Sequence, residues 1–90
     1  MLREKYHPNA YLANVRNVRL GLRARTKILN VLELRPGNAR TVADKAELHY
    51  GVVLHHLTLL QAERIVRREG ARPSVWAPTG AGQKRLLNTS

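Results

Sequence analysis

The stretch Leu48-His-Tyr-Gly-Val-Val-Leu-His-His-Leu-Thr-Leu-Leu-Gln-Ala-Glu-Arg-Ile-Val66 carries the clearest structural signal in this chain of 90 residues. Within it, Val53, Leu57 and Leu60 recur at intervals of four and three residues, the spacing of one face of an α-helix. The stretch therefore predicts a helix over residues 50–63, with these three side chains turned towards a core.

Both sides of this helix show further elements. Residues 65–69 and 74–77 are rich in β-type side chains and are separated by a short Gly- and Pro-containing loop, which predicts a two-stranded hairpin. Upstream, a helical pattern through residues 24–32 stops at Arg35-Pro-Gly-Asn38, and Thr41-Val-Ala-Asp44 indicates a helix cap opening a short helix. Thr79 is placed to cap a final helix. One mainly helical domain with a small β-hairpin is expected.

The N-terminal part shows a separate apolar pattern. From Ala10 onwards apolar residues fall at helical spacing, which predicts an additional N-terminal helix with a break or bend at Gly21. We therefore divide the chain into a basic arm or helix over residues 1–22 and a domain over residues 23–90. The apolar residues of this helix form a stripe made of Tyr11, Val15, Val18 and Leu22. This stripe needs a covering surface, either its own domain or the same helix of a second copy, and we expect a homodimer.

Charge limits the classes of partner. Sixteen Lys and Arg residues against six Asp and Glu residues give a net charge of +10. Residues 1–27 hold seven basic groups and one acid, and residues 64–90 hold six basic groups and one acid, whereas the middle is nearly neutral. A polyanion is the natural partner for such flanks, and nucleic acid is the commonest polyanion. No apolar run approaches the ~18 residues of a membrane span, so a soluble, cytoplasmic protein is expected.

Several kinds of chemistry find no support in the sequence. The absence of cysteine excludes disulfides and thiolate metal sites. His55 and His56 are adjacent, hence about 100° apart on a helix, and cannot both face one metal ion; His56 is expected to pack against the core. The six acids are scattered and form no visible acid–base pair. We expect no metal, no cofactor and no enzymatic activity.

From Arg25 to Leu87 the chain resembles a winged helix-turn-helix of the ArsR/MarR type. The matching residues are Leu48, Val53, His56, Leu57, Leu60, Ile65 and Val66, and the segment 76–82 is similar to the family's closing pattern. The resemblance implies a helix, a short helix, a recognition helix, a two-stranded wing and a closing helix. Arg64 stands where the family usually has the glycine that ends the recognition helix.

The resemblance also implies which residues meet DNA. The recognition helix would present an outward face, and the wing and the short helix would contribute basic or polar groups. Because no Arg or Lys lies between Lys45 and Arg64, we expect weak to moderate base reading, with phosphate contacts supplying the affinity. Alternation along a strand places Arg67 and Arg68 on opposite faces. The implied DNA-binding residues are Arg40, Thr41, Tyr50, Gly51, Leu54, His55, Thr58, Arg67, Arg68 and Arg72.

Three functions stay open at this level. The leading hypothesis is a sequence-selective, double-stranded DNA-binding protein that acts as a small, nucleoid-associated transcriptional regulator. The second is an architectural protein that binds DNA with little sequence preference. The third is a winged helix that binds RNA or the ribosome, or that serves as a protein-interaction module. Fold alone does not separate them, because function depends on the site.

Overall fold

The structure is a computed structural model and describes residues 5–71 and 73–80. A short 3₁₀ turn precedes three helices and one antiparallel hairpin, so the described part of the chain has the mainly helical, hairpin-containing architecture that the sequence predicts. The closing helix predicted from Thr79 would fall almost entirely on residues 81–90, which lie outside the described residues. The elements are the 3₁₀ turn Pro8–Ala10, α1 Arg19–Leu34, α2 Ala39–Ala46, α3 Tyr50–Ala62, β1 Val66–Glu69 and β2 Val75–Pro78.

The prediction of an additional N-terminal helix from Ala10 to Leu22 is wrong. After the 3₁₀ turn the chain is irregular until α1 begins at Arg19. Asn17 Oδ1 accepts a hydrogen bond from the Leu12 amide, and Asn17 Nδ2 donates to the Leu12 carbonyl, each at 2.9 Å. The Glu63 carboxylate accepts from the amides of Ala13 and Asn14 at 2.7 and 3.0 Å. These side chains form hydrogen bonds with backbone groups that would bond to each other in a helix.

The predicted dimerisation stripe consequently does not lie on one helix face. Tyr11 and Val18 are exposed and Val15 is half-buried, all three in the irregular segment, whereas Leu22 is buried within α1. The predicted boundary between residues 22 and 23 falls inside the continuous helix α1. Ala10 and Leu12 belong to the same hydrophobic cluster as the helices, so the N-terminal segment packs as part of this domain.

A buried arginine connects this segment to the helices. Arg25, which the sequence places among the N-terminal basic residues available to a polyanion, is only 2% exposed. Its Nε donates to the Ala10 carbonyl at 2.7 Å, its Nη2 donates to Asn17 Oδ1 at 3.0 Å, and its Nη1 lies 3.3 Å from His56 Nδ1. Gly21 is not a break: it lies in the first turn of α1, where a Cβ would stand 2.9 Å from Arg25 Nη1.

The ends of α2 and α3 depend on local backbone chemistry. Asn38, rather than the predicted Thr41, caps α2, because its Oδ1 accepts from the Thr41 amide at 2.8 Å. Glu47, which ends α2, and Arg64, which follows α3, both adopt left-handed backbone conformations, with φ of 55° and 60°. Arg64 thus occupies the conformation that glycine adopts most readily.

The hairpin packs on the helices through one strand face and is linked to the loop between α1 and α2. The register pairs Val66 with Pro78 and Arg68 with Trp76. Trp76 also exchanges backbone hydrogen bonds with Gly37 at 2.8 and 3.1 Å. Trp76 is therefore held from both sides, and the hairpin is fixed against the start of α2. Trp76 belongs to the same hydrophobic core cluster as Ile28, Leu32, Val42, Val53, Leu57, Leu60 and Val66.

Candidate nucleic-acid interface

Three elements meet around an open cleft of about 370 Å³. The N-terminus of α2 forms one side, the first turns of α3 form the floor, and the hairpin with its loop forms the other side. We call this feature the wing cleft. Its lining residues are Asn38, Ala39, Arg40, Tyr50, Leu54, Arg68, Pro73, Ser74 and Trp76.

On the helical side of the wing cleft, Arg40 is positioned by the start of α2. The Asn38 cap fixes the first turn, and Arg40 follows two residues later with no acidic residue in that turn. The guanidinium of Arg40 lies over the ring of Tyr50, 5.1 Å from its centroid. Stacking of this kind restricts the arginine while its charge remains at the surface.

On the hairpin side, the strand register selects Arg68. Because Arg68 is paired with Trp76, both side chains lie on the same strand face, and the guanidinium lies 5.9 Å from the centre of the tryptophan ring system. Arg67 lies on the opposite face, as predicted, where it binds the Glu69 carboxylate and donates to the Pro78 carbonyl at 3.0 Å. Of these two arginines, only Arg68 lines the wing cleft.

The exposed face of α3 next to the cleft, around Gly51 and Thr58, carries small, uncharged residues. A Cβ at Gly51 would meet no atom within 4 Å, so this part of the helix is open to solvent. The Thr58 hydroxyl donates to the Leu54 carbonyl at 2.8 Å, which uses its proton inside the helix and leaves the oxygen as an acceptor. His55 lines a different groove, between α1 and α3.

The structure therefore divides the predicted DNA-binding residues. It brings Arg40, Tyr50, Leu54 and Arg68 together in the wing cleft, and it exposes Gly51 and Thr58 on the neighbouring face of α3. Thr41, His55 and Arg67 are exposed but do not line the cleft. Arg72 lies outside the described residues.

Sequence reasoning missed five residues of the wing cleft, among them Asn38, Ser74 and Trp76. Strand alternation could have found Trp76, the sole tryptophan, since it shares a hairpin with two arginines. Ser74 donates to the Gly70 carbonyl at 3.2 Å, so it shapes the loop that borders the cleft. No comparable signal marked Asn38, because its role depends on where α2 begins.

Arg25 on α1 and His56 on α3 form a buried pair, and burial lowers the pKa of both side chains. Burial, followed by the charge of Arg25 and then His55, lowers the pKa of His56 from 6.5 to about 4. The pKa of Arg25 is also lowered by burial, an effect opposed by Glu63. His56 is therefore neutral near pH 7 and accepts from the guanidinium through Nδ1, because arginine can only donate. His56 packs in the interior, as expected, and adds no charge to the interface.

Within residues 5–71 and 73–80, no three His, Cys, Asp or Glu side chains are grouped so that they could hold a metal ion. In the described part of the chain, no helix has the length and apolar character needed to cross a membrane.

Comparison with known proteins identifies the fold. No protein-family model matches the chain, and no similar sequence was found among curated proteins. Among solved structures, the chain is similar to the Zalpha domain of PKZ from Carassius auratus, a crystal structure in complex with Z-DNA. The two share 29% sequence identity with a TM-score of 0.58, over 63% of this chain and 92% of that one. The predicted winged-helix fold is confirmed.

Proposed function

We propose that this chain binds double-stranded DNA, with the wing cleft and the adjacent exposed face of α3 against the duplex. The observation that carries the proposal is the placement of Arg40 and Arg68 on opposite sides of one open cleft, each stacked on an aromatic ring. None of the residues that line the cleft is acidic. A guanidinium matches the geometry of phosphate oxygens, and stacking reduces the rotamer freedom that binding would otherwise remove.

The position of Arg40 adds a second attraction for phosphate. It lies in the first turn of α2, whose leading backbone amides carry partial positive charge. A duplex in contact with α3 would pass the hairpin on one side and the start of α2 on the other. Arg68 and Arg40 are then placed to contact backbone phosphates on either side of the face around Gly51.

The similarity to the Zalpha domain supports DNA as the partner, because that domain was solved in complex with Z-DNA. The similar region covers 92% of the Zalpha chain and 63% of this one. We treat the chain as a binding module and not as an enzyme. Membership of the ArsR/MarR type, a homodimeric state and a location on the nucleoid stay predictions.

The finer proposal is a sequence-selective transcriptional regulator. Tyr50 and Gln61 on the exposed side of α3 offer hydrogen-bonding groups for base edges. A sequence-tolerant architectural protein is the second candidate. It is favoured by the lack of Lys and Arg on α3 and by the internal hydrogen bond of Thr58, both of which reduce what the helix can read.

Selection from a random duplex library, followed by a salt titration, tests both candidates. Contact with about six phosphates predicts a slope of about −5 for log affinity against log salt. An enriched motif supports the regulator, and a steep slope without a motif supports the architectural protein. A slope shallower than about −2, or a preference for RNA over duplex DNA, contradicts the proposal.

Single substitutions locate the interface. Arg40→Ala and Arg68→Ala should each weaken binding about five- to tenfold on every duplex, because each removes a phosphate contact. Arg35→Ala is the matched control: it removes the same charge from an exposed position outside the wing cleft. Equal losses in all three variants would mean that net charge, and not the cleft, carries the affinity.

Base reading and duplex shape need separate measurements. If α3 reads bases, Tyr50→Ala should lose about 1–3 kcal/mol more on the selected site than on random DNA. Circular dichroism of an alternating dC–dG duplex tests shape: a left-handed spectrum on addition of protein would show that the chain selects the form bound by the Zalpha domain. A duplex that remains right-handed while bound assigns the interface to ordinary B-form DNA.

A further inference from the structure

A second groove lies between the first turns of α1 and the beginning of α3, with a volume of about 460 Å³. Val18, Leu20, Leu48 and Val52 supply its apolar lining. We call it the α1/α3 groove. Val52 lies about 160–200° around the helix axis from Tyr50 and Leu54, so this groove and the wing cleft lie on different sides of α3.

The apolar lining is unusually exposed for residues so close together. Leu20 is 74% exposed, Val18 52% and Val52 40%. The domain core does not need them, since α1 and α3 already bury other residues against each other and against the hairpin. Isolated apolar side chains on a surface are common, but several lining one groove are typical of an interaction site.

The charges around the groove decide which occupant fits. Arg23 and Lys27 line it on the α1 side, and none of its described lining residues is acidic. In a symmetric contact between two copies, each groove would face a second groove that also lacks acidic residues, so its positive charge would find no complement there. The chain's own residues 81–90 contain Lys84 and Arg85 and no acid, so they carry the same sign of charge as the groove. An occupant with negative charge is favoured over both.

We propose that the α1/α3 groove binds an amphipathic helical segment of another protein, with apolar side chains on one face and acidic residues beside them. The apolar face would cover Leu20 and Val52, and the acidic residues would lie near Lys27. Recognition of this kind uses anchors spaced at i, i+3 or i+4, and i+7. Since the wing cleft lies elsewhere on α3, the segment and DNA could be bound together.

The test uses the full chain as bait for a displayed library of random peptides about 16 residues long, roughly 24 Å as a helix. Selected peptides are synthesised with a fluorescent label, and their affinity is measured by anisotropy at about 150 mM salt to screen non-specific charge attraction. We expect apolar residues at helical spacing together with an excess of Asp and Glu.

Variants distinguish the groove from the general positive charge of the chain. Leu20→Ser/Val52→Ser leaves the charge unchanged and should weaken peptide binding at least about tenfold. Leu34→Ser is the matched control, because Leu34 is 89% exposed at the other end of α1 and should have no effect. Lys27→Glu should also weaken binding of the acidic peptides. DNA affinity should be unchanged in Leu20→Ser/Val52→Ser, which separates this proposal from the DNA-binding one.

Three results would overturn the proposal. The first is selection of peptides that lack either the apolar spacing or the acidic excess. The second is an equal loss of peptide binding in Leu34→Ser and in Leu20→Ser/Val52→Ser. The third is a concentration-dependent dimer in sedimentation velocity that Leu20→Ser/Val52→Ser abolishes, since the groove would then belong to a second copy.

Discussion

Protonation of His56 should destabilise the fold in mildly acidic solution. The imidazole is 9% exposed, and its Nδ1 faces the Nη1 of Arg25 at 3.3 Å. A second proton would place an N–H group against the guanidinium and leave a charge away from water. These effects, with burial the largest, lower the pKa of His56 from 6.5 to about 4 in the folded state.

The direction and size of the change in folding stability with pH follow from the difference in the pKa of His56 between the folded and unfolded chain. The unfolded chain takes up a proton near pH 6.5, whereas the folded chain resists protonation until about pH 4, so stability falls as the pH decreases through this window. With 1.36 kcal/mol for each tenfold change in proton affinity, the loss between pH 7.5 and pH 4.5 is about 2.5 kcal/mol. That is a large share of the roughly 5–10 kcal/mol expected for a domain of this size.

Urea denaturation at a series of pH values measures this effect. The fluorescence of Trp76, the sole tryptophan and only 4% exposed, reports on the fold. His56→Asn keeps an acceptor oxygen near the position of Nδ1 but does not titrate. Over the same pH range, the variant should therefore lose about 2.5 kcal/mol less stability than the wild type. His49→Gln, at an exposed position, is the control and should behave like the wild type. Parallel pH profiles for wild type and His56→Asn would refute the reasoning.

Three further predictions concern the backbone and are tested by urea denaturation at neutral pH. Gly21→Ala should lower stability by about 1–2 kcal/mol, because its Cβ would stand 2.9 Å from Nη1 of the buried, hydrogen-bonded Arg25. Gly51→Ala is the control: its Cβ meets open space, and it should add about 0.5 kcal/mol. Equal effects of the two substitutions would contradict the steric argument. Arg64→Gly should add about 0.5–1 kcal/mol by relieving a left-handed φ of 60°, and a loss would show that the arginine side chain matters more. Asn38→Ala should remove the cap of α2 and cost about 1 kcal/mol, and an unchanged midpoint would contradict that role.

The winged-helix architecture is visible in the sequence because its signals are local. The apolar spacing of Val53, Leu57 and Leu60 predicts α3, and the structure places the helix at Tyr50–Ala62. The sequence predicts the hairpin to within one residue at each end, since β-type residues and the intervening turn mark it directly. Arg64 stands where a glycine is usual, and it adopts the conformation that glycine would.

The N-terminal segment shows where local signals fail. Its apolar spacing predicts a helix, yet its backbone amides are bound by Asn17 and by Glu63, the latter 50 residues from Ala13. The buried Arg25 then links Ala10 and Asn17 to His56 on α3. No pattern within residues 10–22 reveals Glu63 or His56 as partners, because hydrogen bonds between distant residues exist only once the chain has folded.

The same distinction applies to the candidate interface. The sequence by itself determined the excess of positive charge, the lack of cations on α3 and the residue types available for DNA. Only the tertiary structure decided that Arg40 and Arg68 share one cleft with Tyr50 and Trp76, and that His55 belongs to another groove. The physical reason is that strand register and the packing of α2 against α3 set which side chains converge, and both depend on contacts between distant parts of the chain.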